Sequence, residues 1–300
     1  MKTFLILILV FGIPFVIAPF GASYFETPKV FLGQILIEIL LIVTIFKPPR
    51  KINFKSIHFI LIASIFLLSL ILLFIYNPTP LSFWGNAYRK QGVFLLWHLI
   101  FFSCLVNVQK NLKNVSIFSK ISLIILFLST FFLGTDINER AVGPLGEANS
   151  LAAEASFLWP LTGNKIFLIP TFVIVALSGS RSGMLAIIIQ VVFFLIQKKI
   201  ASFAKASLIA LVLVSLSPFL ITLEKDVVYE NRRVIWNTAF MGGLEKPIMG
   251  HGFGNTEVAL KETSQKLSNT IRDYFVDSSH NVFLDWWVQG GLTGVILLVA

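Results

Sequence analysis

Apolar residues run in long blocks along this chain, and the polar residues between them come in short clusters. Stretches such as IFLIPTFVIVAL and LAIIIQVVFFLI show neither the alternation of a half-buried strand nor the polar face of a surface helix. A helix crossing a hydrocarbon layer about 30 Å thick needs about 20 such residues. Runs near that length lie at roughly 3–19, 30–46, 57–76, 92–108, 117–134, 148–161, 165–178, 182–197, 206–223 and 281–300. The pattern predicts an all-α fold, a polytopic transmembrane bundle of about ten helices. The runs at 148–161 and 165–178 are short and hold Glu154, Pro160, Gly163 and Pro170, so tilted, broken or re-entrant helices are expected there. Lys2 precedes the first run as in a signal peptide, but no small-x-small site closes it, and it reads as a retained helix.

Charge sets the orientation. With a cytoplasmic amino terminus and every run crossing, the cytoplasmic connections hold Lys47, Arg50, Lys51, Lys55, Lys110, Lys113, Lys120, Lys165, Lys198, Lys199 and Lys205, with no Asp or Glu among them. That satisfies the excess of Lys and Arg expected on the inner side. Merging the sixth and seventh runs would place Lys198, Lys199 and Lys205 outside, so both are kept. Arg181, in SGSRSGM at 178–184, then falls at the outer end of the eighth run. There its guanidinium reaches water and avoids the cost of about 2.5–3.5 kcal/mol for a charge at the bilayer centre.

Composition agrees: 56% hydrophobic residues, 13% charged and 30 Phe, with a mean hydropathy of +0.84, leave too few charges to cover a soluble domain. The net charge of +9 does not imply nucleic acid, because the basic residues form short clusters between apolar runs and no basic stripe on a folded domain. Cys104 is the single cysteine and lies in an apolar run, which excludes a disulfide framework and a thiolate metal site.

One long polar segment, 224–280, remains. It divides the chain into a bundle (1–223), an extracytoplasmic loop (224–280) and a last transmembrane helix (281–300) within one membrane domain. In this loop VVYENRRVIWNTAFMGG reads as a helix with Arg232 and Trp236 on one face, ended by Gly242-Gly243. In EKPIMGHGFGN the glycines 250, 252 and 254 would let backbone amides approach an anion, although the spacing is neither a dinucleotide fingerprint nor a P-loop. Leu267, Thr270, Ile271, Tyr274 and Phe275 share one side of a further helix expected to lie along the membrane. His280 and Asn281 stand at the mouth of the last span.

In their order, SGSRSG opening a helix, RRVIW, KPIMGHGFGN and HNVFLDWWVQGGLTG resemble the O-antigen ligase and O-antigen polymerase family of bacterial polysaccharide membrane proteins. Upstream, FWGNAYRKQG (83–92) and GPLGEANSLA (143–152) are similar to pieces that such proteins carry, so the resemblance extends over the chain from residue 83 onward. Members of the family usually continue with further helices after the HN-containing span, so a chain ending at Ala300 reads as shortened at its carboxy terminus.

The resemblance implies an enzyme of the bacterial inner membrane. It would move a glycan from a polyprenyl diphosphate such as undecaprenyl diphosphate to a glycan or lipid acceptor on the outer face. Lipopolysaccharide assembly is the setting, ligase and polymerase both fit, and neither cofactor nor metal is expected. Arg181 and Arg232 are the implied diphosphate ligands, since a guanidinium grips phosphate bidentately and stays charged. His280 is the implied catalytic base, a histidine with an ordinary pKa of about 6.5 being largely neutral at pH 7. Arg89, Arg233, Gly250, Gly252, Gly254 and Asn281 are candidate supporting residues. A metal-dependent relative of this chemistry would show an acidic pair in an outer loop, where the only acid-x-acid pattern is Glu224-Lys225-Asp226.

Structural roles compete with each assignment. Arg181 also fits a snorkelling anchor, Arg232 a partner for Trp236 with Arg233 its equal as phosphate ligand, and Arg89 an interfacial anchor. His280 also fits a helix cap, with His251 its rival as base. Glu38, Glu154 and His98 fall inside spans, where hydrogen bonding within the bundle is the default and an ion or solute path is the alternative. That alternative would make the protein a transporter, although the two halves show no convincing repeat.

Overall fold

The computed structural model describes residues 2–47, 56–75, 79–87, 89–108, 114–136, 139–197, 232–267 and 277–299. The described residues are all-α, with one isolated bridge between Thr135 and Ala141. The helices are α1 (Lys2–Phe11), α2 (Glu26–Phe46), α3 (Ser56–Ile75), α4 (Pro80–Trp84), α5 (Val93–Val108), α6 (Val115–Phe132), α7 (Ala148–Thr162), α8 (Leu168–Ser178), α9 (Arg181–Gln197), α10 (Arg232–Glu245), α11 (Thr256–Lys266) and α12 (Val282–Val299). Three of them, α2, α6 and α12, are long and apolar enough to cross a membrane. The expected span at 206–223, the helix through 267–275 and the Glu224-Lys225-Asp226 triplet lie outside the described residues.

Local chemistry sets several boundaries. The first run does not continue to residue 19: α1 ends at Phe11, and a 3₁₀ turn over Ile13–Phe15 carries Pro14, whose ring and missing N–H oppose continuation of the helix. Pro160 lies in the last turn of α7, which Gly163 closes in the left-handed conformation. Asn164 then accepts from the Ile166 amide at 3.1 Å to start the turn into α8. Sequence reasoning did not anticipate α4, where Thr79 and Ser82 form a reciprocal capping box, nor α11.

The main core joins α1, α6, α7, α8 and α9 through Phe11, Leu123, Leu126, Leu151, Leu158, Ile174 and Ile187. Small residues let these helices close, as at membrane-helix interfaces generally. A Cβ on Gly183 would come within 2.6 Å of Ala152 Cβ. Smaller groups hold α2 and α5 to α1 (Ile6, Leu40, Leu105) and seat α10, α11 and α12 together (Ala239, Ala259, Leu260, Val288). Large apolar side chains also point outward, among them Ile42, Ile121, Ile124, Leu128 and Ile189. Such an apolar outer surface suits lipid rather than water.

Two intramembrane polar sites are structural in geometry. His98 Nε2 lies 3.1 Å from Glu38 Oε1, and its Nδ1 lies 2.8 Å from Phe94 O. Both ring nitrogens face oxygen, so the ring is held by one partner on its own helix and one on α2. Gln190 ties α9 to α7 by donating to Ser156 O at 3.0 Å.

Contacts sort the helix ends into two groups. At one end Gly146 packs on Phe25, Lys29 Nζ donates to Pro144 O at 2.7 Å and Ala141 N donates to Leu177 O at 3.0 Å. At the other end Ser116 Oγ donates to Thr162 O at 2.6 Å, and Lys2 Nζ donates to Lys47 O. The connections rich in lysine belong to the second group.

Candidate functional site

The SGSRSGM corner is built by its small residues. Gly179 closes α8 with φ 59°, and the Ser180 hydroxyl accepts from Gly183 N at 3.2 Å to cap α9. Arg181 therefore becomes the first residue of α9 and is exposed. A second cation stands beside it that sequence reasoning did not single out. The Arg140 Cδ is 3.3 Å from where a Gly179 Cβ would sit, and its guanidinium is held by Asp136 at 2.6 Å. The signal was its position just ahead of GPLGEANSLA.

His280 lies on the turn that leads into α12. Its backbone takes the left-handed conformation with φ 55°, and its side chain is exposed. Asn281 caps the helix by accepting from Phe283 N at 3.0 Å and Leu284 N at 3.3 Å. Asp285, one turn on, reaches back to Ser279 N at 2.8 Å and Ser278 Oγ at 2.9 Å. The His280 amide in turn donates to Ser278 Oγ at 3.0 Å. These bonds fix the backbone that presents the imidazole.

Two other candidates reach this turn. Arg89 Nε is 2.6 Å from Asp277 Oδ2, an ion pair without the alignment of a hydrogen bond, and Asn86 Nδ2 adds a bond to the same oxygen at 3.3 Å. Trp236 Nε1 donates to Ser279 O at 3.1 Å, so the helix that begins Arg232-Arg233 docks one turn later beside His280. The side chains of Arg232 and Arg233 lie outside the described residues. The Arg181 corner is tied to the start of α2 through the Ala141–Leu177 and Lys29–Pro144 bonds.

The glycine stretch serves a different purpose from the anion cradle its composition suggested. The amide of Gly250 donates to Lys246 O and that of Gly252 to Gln289 O, each at 2.9 Å. Gly254 N donates to Gln289 Oε1 at 2.9 Å. The Gly250 amide closes the loop on itself, and those of Gly252 and Gly254 hold it against α12, where Gly291 breaks the helix with φ 60° and ψ −154°. A Cβ on Gly250 would lie 2.5 Å from Gln289 O. Nor does Gly242-Gly243 end α10, which continues to Glu245. A Cβ there would meet Thr263 Oγ1 at 3.0 Å and Trp287 Nε1 at 2.0 Å, so this glycine pair is a docking face.

His251 is buried within that packing. Its amide donates to Val288 O at 2.7 Å, and its Nε2–H donates to Gly242 O at 2.9 Å. Burial pushes its pKa below the ordinary value, with the Gly242 carbonyl working the other way.

Between the Arg89 loop, α5, α11 and α12 lies a cavity of about 240 Å³. It is lined by the polar side chains of Asn86, Gln91, Glu257, Asp277, Asp285 and Gln289 and by leucines of α5, Phe253 and Trp286.

Residues 166–299 match a family model described as O-antigen ligase. A comparison with curated proteins gave no match. The matched stretch contains the Arg181 corner, the start of α10, the glycine stretch and the His280 turn, the elements whose geometry is set out above. Over residues 166–299 the chain is therefore similar to the O-antigen ligase family, and its apolar helices suit a membrane protein.

Proposed function

We propose that the protein is a glycosyltransferase that moves a glycan from a polyprenyl diphosphate carrier to a sugar or lipid acceptor on the outer face of the bacterial inner membrane. The observation that carries this reading is the convergence, at one bundle end, of the His280 turn with Arg89 and with the helix that starts at Arg232. The acceptor O–H attacks the anomeric carbon, and the bond from that carbon to the diphosphate oxygen breaks. His280 takes the hydroxyl proton, and the departing diphosphate keeps the bonding electrons and gathers negative charge. Arg181 and Arg232 hold that charge, supported by Arg233 and Arg89, because positioned donors act where charge develops. Asn281 holds the His280 turn, while Gly250, Gly252 and Gly254 hold the loop that backs it. His280 is favoured over His251 because its imidazole is exposed, whereas the ring of His251 is buried on Gly242 O. Its left-handed backbone supports this too, since such strain concentrates at functional sites.

The test is transfer from a polyprenyl diphosphate glycan by purified protein, with EDTA present to examine metal independence. A general base contributes about 10²- to 10⁴-fold in rate, so His280→Ala is expected to lower turnover by that factor and His251→Ala by much less. Arg181→Lys is expected to lose most activity, because an ammonium supplies charge without the planar fork. Full turnover by His280→Ala, or abolition of the wild-type reaction by EDTA, overturns the mechanism.

A further inference from the structure

The cavity beside the His280 turn has its own chemistry, distinct from that of the arginines. Glu257, Asp277 and Asp285 all line it. Asp277 is occupied by Arg89 and Asn86, and Asp285 by Ser278 and Ser279. Glu257 is reached by the Asn86 side chain, while its Oε2 is shielded from solvent and has no hydrogen-bond partner among the described residues. A shielded acceptor left without a donor is unfavourable, so an open oxygen at a cavity wall points to a donor supplied from outside. Gln91 is exposed and lines the cavity, and its carboxamide offers both donor and acceptor.

We propose that this cavity is the subsite for one uncharged or amino-bearing sugar ring of the acceptor, with Glu257 and Gln91 receiving its hydroxyls and the indole of Trp286 packing against its apolar face. The proposal rests on the glycosyltransferase reading and adds to it where the acceptor lies. The volume of about 240 Å³ is smaller than the roughly 300–1,000 Å³ of drug-sized sites, which limits the occupant to about one ring. Charge fits as well, because a wall of carboxylates disfavours phosphate or an acidic sugar and leaves the donor diphosphate to the arginines. Position gives the strongest support. Ser278 lines the cavity and accepts from the His280 amide at 3.0 Å, so the cavity borders the turn that carries the base. Burial and the Asp277 charge also push the Glu257 pKa above the ordinary carboxylate value, which suits a group that exchanges hydrogen bonds with hydroxyls.

The experiment is saturation-transfer NMR on the full chain in nanodiscs. The probes are methyl glycosides of glucose, galactose, mannose, N-acetylglucosamine and glucosamine, with methyl glucuronide as the acidic control. At least one uncharged or amino-bearing glycoside is expected to bind in preference to the glucuronide. Glu257→Gln and Gln91→Ala, with thermal midpoints held, should weaken that binding by about tenfold, the loss of one good hydrogen-bonding partner of about 1.4 kcal/mol. In transfer assays the same variants should raise the acceptor KM and leave the donor KM within about twofold, by the same partition of binding. Binding of none of these glycosides to the wild type, binding unaffected by both variants, or a rise in donor KM alone overturns the subsite. Glycoside binding that depends on Glu257, in wild-type protein that transfers nothing from a polyprenyl diphosphate glycan, supports the subsite and overturns the proposed reaction.

Discussion

His251 and His280 stand in the same polar segment, and nothing in their immediate sequence separates a base from a packing residue. Burial separates them. The ring of His251 is covered where α10 meets the glycine loop and bonds to Gly242 O, whereas His280 is held out on a turn. Because the folded pKa of His251 is lowered mainly by burial, an unfolded chain takes up this proton first as pH drops below about 6.5. Its contribution to stability is therefore complete above that pH and is lost as pH falls through the lower folded value. Lys246 opposes its protonation, and Glu245 and Glu262 favour it. Glu257, whose pKa is raised, has the opposite sign, so the effect must be isolated by substitution. The thermal midpoint of the wild type is expected to fall between pH 7.5 and pH 5.5 more steeply than that of His251→Gln. Equal slopes would remove His251 as the acid-sensitive contact. The sequence placed both histidines correctly in a polar segment, but which ring is buried depends on a carbonyl in another helix.

At the scale of elements, long apolar runs were easily read: those predicted at 57–76, 117–134 and 182–197 appear as helices at 56–75, 115–132 and 181–197. Glycine pairs were ambiguous, because the same residues end a helix, break one or let one dock. Gly242-Gly243 lets Trp287 dock and interrupts nothing, with Trp287 Nε1 donating to Phe240 O at 3.0 Å. Gly290-Gly291 breaks α12, and the loop ahead of His251 fills the break, where Leu292 N donates to Pro247 O at 2.8 Å and Thr293 N to Ile248 O at 3.2 Å. A Cβ on Gly291 would lie 2.5 Å from the Ile248 carbonyl carbon, on a backbone at φ 60° that resists side chains. Gly291→Ala is expected to destabilise by about 2–4 kcal/mol, combining the positive-φ penalty with overpacking. A lowered thermal midpoint would register it, whereas a midpoint within about 1 °C of wild type would show that the break is dispensable. Helix α11 went unread for a related reason. It is short, and its buried residues Ala259, Leu260 and Thr263 gain meaning only against α10 and α12.

For the whole molecule, α7 with α8 decides how many runs cross. Both are short, with bounds of Ala148–Thr162 and Leu168–Ser178, yet they return the chain to opposite groups of helix ends. Thr162 sits with Ser116, and Leu177 sits with Ala141. If each crosses, Lys165 and Lys199 are cytoplasmic and Ser264 is outside, consistent with the preference of lysine for the inner side. If the pair instead makes a single crossing, Lys199 moves to the outer face and Ser264 to the inner one, taking the His280 turn with it. Cysteines introduced singly at 165, 199 and 264, in a chain whose lone Cys104 is changed to Ser, separate the cases. Only the cysteine at 264 is expected to react with a membrane-impermeant maleimide in intact cells, and the other two only after permeabilisation. Reaction at 199 from outside would place the arginines and His280 on the cytoplasmic face, away from an outer-leaflet glycan, and would overturn the proposed function together with the ten-span arrangement.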